Sequence, residues 1–213
     1  MVRKYLKRFV YLGIVLGFVI VATYIAGTFH PNDHVITKIE DEFHRKEMRI
    51  IEELGLKEPA FEFTDKVSFI NATSNCVAYL NWTTDKEKRV PTSIIIAVAG
   101  IESAWGTSRF AKEGNALFGV RTWNLNTPHM KPLDLPKARF GVKKYTTKCE
   151  SIRDMIRILN THPAYEKFRI EREKQLETGK WNYRPLMMGM TAWSTNPDYA
   201  EIILQTIVDN KLP

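Results

Sequence analysis

The 213-residue chain has only two cysteines, Cys76 and Cys149, and its five histidines (His30, His34, His44, His129, His162) show no metal-ligand spacing with either thiol. A zinc site needs three or four such groups converging on one ion, so no metal site is expected. A phosphate-binding glycine-rich loop and a dinucleotide fingerprint are also missing, and no cofactor of any kind is expected. Internal repeats and low-complexity tracts are absent. With 44% hydrophobic and 11% aromatic residues, the composition is that of a globular protein and excludes wholesale disorder. The two cysteines leave two readings open. They could pair in an exported compartment, or they could be buried thiols, because sequence does not place their Cα atoms within bridging distance.

Net positive charge is small outside the N-terminal tip. The net charge is +7, but Arg3, Lys4, Lys7 and Arg8 supply four of the seven, and no charge follows until Asp33. The remaining +3 is too small an excess to argue for nucleic acid, and a mildly basic surface would suit an anionic polymer. Between the basic tip and Asp33, Phe9 to Phe29 is free of charge over 21 residues. At ~1.5 Å rise per residue such a helix crosses a ~30 Å hydrocarbon core. A signal peptide has a shorter apolar region and a clean small-residue cleavage site, so an uncleaved single-pass anchor is expected. The basic tip keeps the N-terminus cytoplasmic and puts the rest outside the inner membrane, facing periplasm or cell exterior.

The chain divides accordingly into a basic tip and transmembrane anchor (1–29), a stalk and linker (30–65) and one domain (66–213). In the stalk, Ile36, Ile39, Phe43, Ile50, Ile51 and Leu54 form a loose helical stripe over Val35 to Leu54. Gly55 to Asp65, with Pro59, reads as linker. In the domain, Ser68 to Trp82 predicts a helix, and Pro91-Thr92-Ser93 starts another whose run Ile94 to Ile101 is apolar nearly all round, hence buried. Leu117 to Trp123 and Arg139 to Thr147 are β-prone pieces separated by Pro128, Pro132 and Pro136. Helices return at Ile152 to Leu159, break at Thr161-His162-Pro163, and resume from Ala164 to Glu177. A last helix is predicted with Asn196 as N-cap, Pro197 at its first position, and Tyr199, Ile202, Ile203 and Ile207 turned inward.

At 100° per residue Glu102 lies close to the direction of Ile95 and Val98, so a carboxyl group ends the stripe its own helix buries. Desolvation raises a carboxyl pKa, and a carboxyl kept protonated near neutrality can act as a general acid. Position alone admits a plainer reading, a buried Glu paired with Arg109 or Arg121, or one facing solvent at the helix end.

The surrounding residues carry a resemblance. Ile101-Glu102-Ser103-Ala104-Trp105-Gly106-Thr107-Ser108-Arg109-Phe110-Ala111 resembles the active-site motif of the bacterial glucosaminidases, the flagellar and autolysin type. Asn115-Ala116-Leu117-Phe118-Gly119-Val120 is similar to that family's second motif, and Leu159-Asn160-Thr161-His162-Pro163-Ala164-Tyr165 resembles a segment of its Bax branch. The resemblance covers about Lys66 to the C-terminus. It implies a lysozyme-like α+β fold, mainly α with a small β-lobe, that hydrolyses the β-1,4 bond after N-acetylglucosamine in peptidoglycan. The partners implied are peptidoglycan glycan strands and, through the anchor, the membrane. Glu102 would be the general acid, Trp105 and Gly106 would shape the turn after its helix, and Asn115, Leu117, Phe118 and Gly119 would form the junction to the β-lobe. Trp105, Asn115, Phe118, Trp123, Trp193 and Tyr199 are the candidate substrate-binding residues, each with packing as the alternative. Trp123 is the better candidate for stacking on a sugar face.

Two departures from the family pattern stand out. The second carboxylate often found in the β-lobe has Asp134 as its candidate here, an Asp that could equally belong to a Pro-flanked turn, and Gly141 stands where many Bax-type sequences carry Glu. In Trp193-Ser194-Thr195-Asn196-Pro197-Asp198-Tyr199, Trp193 takes the place of the first tyrosine of a family motif. A weak second carboxylate is compatible with hydrolysis, because an N-acetyl sugar can supply its own acetamido oxygen as nucleophile. Two rivals remain at this level: a catalytically silent glycan-binding or cell-wall assembly protein, and a lytic transglycosylase.

Overall fold

The computed structural model describes residues 8, 11–22, 33–124 and 126–213, in two compact units, Met1–Leu54 and Gly55–Pro213. In the first unit residues 11–22 are helical with exposed side chains. Residues 9, 10 and 23–29 of the expected anchor lie outside the described residues, and among the described residues no helix is long and apolar enough to cross a membrane. Helix α1 (Asp33–Leu54) follows, as the stripe predicts, with Phe43, Ile50 and Ile51 half-buried and Ile39 and Leu54 exposed.

The second unit begins with the segment expected as linker, which is packed. The Phe61 and Phe63 rings meet the fully buried Phe69 ring edge-on at 5.7 and 5.3 Å, and Glu58 lies 3.6 Å from Arg153. Asp65 then caps α2 (Lys66–Thr83): the Ser68 N–H donates to the Asp65 carboxylate at 2.7 Å, and the Asp65 N–H donates to the Ser68 hydroxyl at 3.0 Å. This reciprocal capping box satisfies N–H groups that a helix start otherwise leaves open. Helix α3 (Thr92–Ser103) runs through the centre, with Ile94 through Ala99 wholly excluded from solvent. Helices α2, α5 (Lys148–Thr161) and α8 (Tyr199–Asp209) build the core around it, α3 packing on α2 and α8, and α2 on α5.

A disulfide between Cys76 on α2 and Cys149 on α5, Cα atoms 5.4 Å apart, decides between the two readings of the cysteines. Closing a loop of 73 residues, such a bond stabilises the fold by about 4 kcal/mol in the chain-entropy account.

The β-lobe is a three-stranded antiparallel sheet in the order β1-β3-β2, with β1 (Arg121–Thr122), β2 (His129–Met130) and β3 (Gly141–Lys143) in a register that sets Val142 opposite both Arg121 and Met130. β1 and β3 fall inside the β-prone pieces. β2 does not; Pro128 and Pro132 flank it, and their missing N–H groups keep it to two residues. Gly141 lies flat against the His129 ring: a Cβ there would come within 2.3 Å of that ring, so no side chain fits while the ring keeps its place.

The lobe is tied to α5 by a cluster of charges. Asp154 accepts from Lys143 at 3.1 Å, from the Tyr145 hydroxyl at 2.7 Å, and from Arg157 at 2.6 and 2.9 Å. Two short helices, α4 (Arg109–Gly114) and α7 (Tyr183–Met188), are additions that the periodicity did not reveal; α6 (Glu166–Thr178) matches its prediction. The last helix begins two residues later than Pro197 suggests. The Asn196 side chain accepts from the Asp198 N–H at 3.0 Å and makes a turn there, instead of capping the helix. Tyr199, Ile203 and Ile207 are buried as expected, but Ile202 is 39% exposed, because it lies at the boundary of the stripe.

Candidate active site around Glu102

Glu102 is the penultimate residue of α3, and the chain leaves that helix through an unusual turn. Ala104, Trp105 and Gly106 follow one another with φ of 51°, 55° and 81°, two of them non-glycine residues in the left-handed region. Each such residue costs roughly 1 kcal/mol or more and persists only where surrounding contacts impose it. Here the Ser103 hydroxyl donates to the Ala99 carbonyl at 2.5 Å and accepts the Gly106 N–H at 2.8 Å, while the Trp105 N–H donates to the Gly100 carbonyl at 2.8 Å. Gly106 has to be glycine for a second reason, since a Cβ would sit 2.5 Å from Phe63. The Trp105 ring covers Gly100, meets Phe69 edge-on at 5.9 Å and carries the Lys66 ammonium over its face at 4.5 Å. Trp105 therefore acts as the clamp that fixes the end of α3, and its packing role accounts for it.

Among the described residues no arginine pairs with the Glu102 carboxyl. Arg109 donates to Glu113 at 3.2 Å and to the Lys131 carbonyl at 2.6 Å, and Arg121 lies over the Phe140 ring at 4.5 Å. The partner of Glu102 is Tyr199, whose hydroxyl donates to Oε1 at 2.5 Å from the first turn of α8. Solvent reaches Glu102, yet enough protein encloses the carboxyl that desolvation pushes its pKa above the usual 4.5, against Tyr199 and the Trp193 indole, which both favour the ionised form. Neutral donors orient the group without neutralising it, so the upward shift survives. Tyr199 is 8% exposed, and burial together with the adjacent carboxyl drives its phenol upward as well, so it remains a proton donor.

Around this pair stands an aromatic wall. The Trp193 ring meets Phe118 edge-on at 6.3 Å and tilts against Tyr165 at 5.9 Å. Phe118 is 3% exposed and packs edge-on against the half-buried Trp193. Of the expected residues, then, Glu102, Tyr199, Trp193 and Phe118 come together. Tyr165 joins them; it lies in the Bax-like segment 159–165, but no spacing rule marks it as a site residue.

The other candidates lie elsewhere. Asn115 ends α4 in the left-handed conformation (φ 52°) and ties the lobe to α5, donating to the Tyr145 and Thr146 carbonyls at 3.1 and 2.9 Å and accepting from Lys148 at 3.0 Å. Those bonds use both amide hydrogens and make it a structural cap. Trp123 is 66% exposed on the β-lobe, beside Phe140 at 6.1 Å, with an open face that a sugar could cover. Asp134 is exposed in a turn between β2 and β3 and takes no part in the contacts that hold Glu102. Among the described residues no group of His, Cys, Asp and Glu could hold a metal ion.

Comparison with known proteins places the chain in a family. The sequence profile of the glucosaminidase family, described as mannosyl-glycoprotein endo-beta-N-acetylglucosaminidase, matches residues 81–212. The chain is 35% identical over 83 residues to Protein bax of Escherichia coli, covering 39% of this chain and 28% of that protein. It is 29% identical over 117 residues to the exo-glucosaminidase LytG of Bacillus subtilis, covering 52% and 41%. The chain thus spans less than half the length of either relative. Its fold is similar to the crystal structure of the catalytic domain of the autolysin Auto from Listeria monocytogenes (TM-score 0.52, 21% identity, 78% of this chain and 94% of that one). It is similar also to that of a peptidoglycan hydrolase from Sphingomonas sp. A1 (TM-score 0.51, 21% identity, 70% and 90%). With a family profile spanning the strained turn, the carboxyl before it and the tyrosine that holds that carboxyl, the chain belongs to the glucosaminidase family, in its Bax-type branch.

Proposed function

We propose that the protein is a peptidoglycan hydrolase that cleaves the β-1,4 bond after N-acetylglucosamine, with Glu102 as its general acid. The observation that carries this reading is the Glu102 carboxyl itself, raised in pKa by desolvation and held by a neutral hydroxyl at 2.5 Å. A glycosidic oxygen must take a proton as its bond to the anomeric carbon breaks, and a carboxyl that keeps its proton toward neutrality supplies it. Exposed Asp134 stands apart from the Glu102 contacts, which favours the substrate-assisted route over an Asp134-held water. The acetamido carbonyl oxygen of the sugar bonds to the anomeric carbon as Glu102 protonates the departing oxygen. Water then opens the cyclic intermediate, giving its proton back to the Glu102 carboxylate.

The names of the relatives and fold neighbours, an exo-glucosaminidase, an autolysin and a peptidoglycan hydrolase, support the substrate class. The uncharged run Phe9 to Phe29 supports the further proposal that the protein is held at the inner membrane with its domain outside the cytoplasm. A second reading, a glycan-binding protein without turnover, is favoured by one observation: among the described residues Glu102 is the one carboxyl that hydrogen-bonds to the aromatic residues of the site.

The test is incubation of the full chain, wild type beside Glu102→Gln, with purified peptidoglycan and mass analysis of released fragments. Fragments ending in reducing N-acetylglucosamine, falling about 10³-fold in the mutant, are expected for a lost general acid. Anhydro-sugar ends would mark a transglycosylase, and glycan that sediments intact with both proteins would mark the binding protein.

A further inference from the structure

Tyr165 is the residue of this site with an unused polar group. It closes the 3₁₀ turn Pro163–Tyr165 and is 6% exposed, with its ring held between His162 (5.7 Å) and Trp193 (5.9 Å). Its hydroxyl has no hydrogen-bond partner among the described residues, yet it is not sealed from solvent, unlike the unpartnered atoms Asn81 Oδ1 and Arg172 Nε. A buried tyrosine ordinarily directs its hydroxyl to a partner. The partner missing here belongs on the solvent side of the aromatic wall. Tyr199, which holds Glu102, is near enough to feel the charge of Tyr165 if its phenol ionises.

Resting on the hydrolase reading of Glu102, we propose that Tyr165 is a substrate-binding residue whose hydroxyl donates to the acetamido carbonyl of the N-acetylglucosamine bound beside Glu102, the acetamido methyl lying against Trp193. The chemistry of the wall selects this group over the sugar's hydroxyls. An acetamido group pairs an acceptor with an apolar methyl, and the site pairs a neutral donor with the half-buried Trp193 ring backed by Phe118. A free amine, as in glucosamine, is a cation at working pH with no acceptor to offer. It would leave the hydroxyl unpaired and put a charge against the aromatic wall's edge. Burial pushes the Tyr165 phenol up to about 12, so it stays a donor across the range in which a glycosidase works. The site would therefore distinguish N-acetylated from deacetylated glycan, and Tyr165 would be one source of that distinction.

The experiment titrates the full-length Glu102→Gln protein, with and without Tyr165→Phe, with a tetramer of N-acetylglucosamine and with a tetramer of glucosamine, following tryptophan fluorescence. Phenylalanine fills the same volume, and unchanged melting temperature checks the fold. A loss of one neutral hydrogen bond, about 1 kcal/mol, corresponds to roughly five- to tenfold in affinity. The N-acetylated tetramer is expected to weaken by that factor and the glucosamine tetramer not to change. Equal affinity of both proteins for the N-acetylated tetramer overturns the assignment, as does an equal loss for both tetramers or no binding of the N-acetylated tetramer to the parent protein. Hydrolysis of peptidoglycan by the wild type is read separately, so a failure of this inference is told apart from a failure of the hydrolase reading on which it rests.

Discussion

Two carboxyl groups partly enclosed by the same domain titrate in opposite directions, and their neighbours explain why. Asp154, between β3 and α5, is desolvated, but the charges of Arg157 and Lys143 and the donors of Tyr145 and Arg157 outweigh that and hold it below the usual 3.8. Glu102 is partly desolvated, has Tyr199 and the Trp193 indole as its neutral neighbours among the described residues, and lies above the usual 4.5. Cations next to a carboxylate make it a structural anchor that gives up its proton. Neutral donors orient a carboxyl and leave its proton in place, which is what acid catalysis uses.

The largest break in this comparison is expected at the anchor. Asp154→Asn leaves Arg157 and Lys143 facing a neutral amide in a largely buried site, at a cost on the order of 3 kcal/mol, or about 6–12 °C in melting temperature for a domain of this size. Calorimetry against pH sharpens it. Because folding lowers the Asp154 pKa, its stabilisation is complete above 3.8 and fades as pH falls through the lowered value, so the wild-type advantage over Asp154→Asn should shrink only at strongly acidic pH.

Next in size is Tyr199→Phe. It removes a donor that lowers the Glu102 pKa, so that pKa rises further. We expect kcat/KM to fall about tenfold through lost orientation, the worth of ~1.4 kcal/mol. The alkaline limb of the pH–rate profile, where the general acid loses its proton, should move to higher pH. A fall in rate with no movement of the limb would assign Tyr199 to packing alone.

The smallest effect is on stability at Glu102. Folding raises this carboxyl above 4.5, so the native state holds the proton more tightly than the unfolded chain. Its contribution is intact below about 4.5 and is lost as pH rises through the raised value. Glu102→Gln should therefore melt at a slightly higher temperature than wild type at pH 8 and at the same temperature at pH 4. A mutant less stable at pH 8 would show that the carboxylate is held by a cation after all.

Much of this was legible in the residues. The all-round apolar run Ile94 to Ile101 announced a central buried helix, and the carboxyl at its end, followed by Ser103-Ala104-Trp105-Gly106, marked the site. Short elements were not legible: α4 and α7 have six residues each, too few for a periodicity, and β2 has two. Nor was the division of labour among the aromatics. Trp105, Phe118 and Trp193 look equivalent as letters, but the first clamps a turn, the second is a buried support and the third is a half-buried ring set against Phe118 and Tyr165.

The sequence by itself determined the family, the central helix, the acid at its end and the mixed helical and β composition, because these rest on local spacing and on an uninterrupted motif. Tertiary structure alone decided that Cys76 meets Cys149, that Asp154 is anchored by cations, and that Tyr199, 97 positions beyond Glu102, holds the carboxyl in place of Arg109 or Arg121. Partners that far apart in the chain carry no periodic signature. Which donor reaches a desolvated carboxyl is set by how α8 packs on α3, and that packing is a property of the whole core.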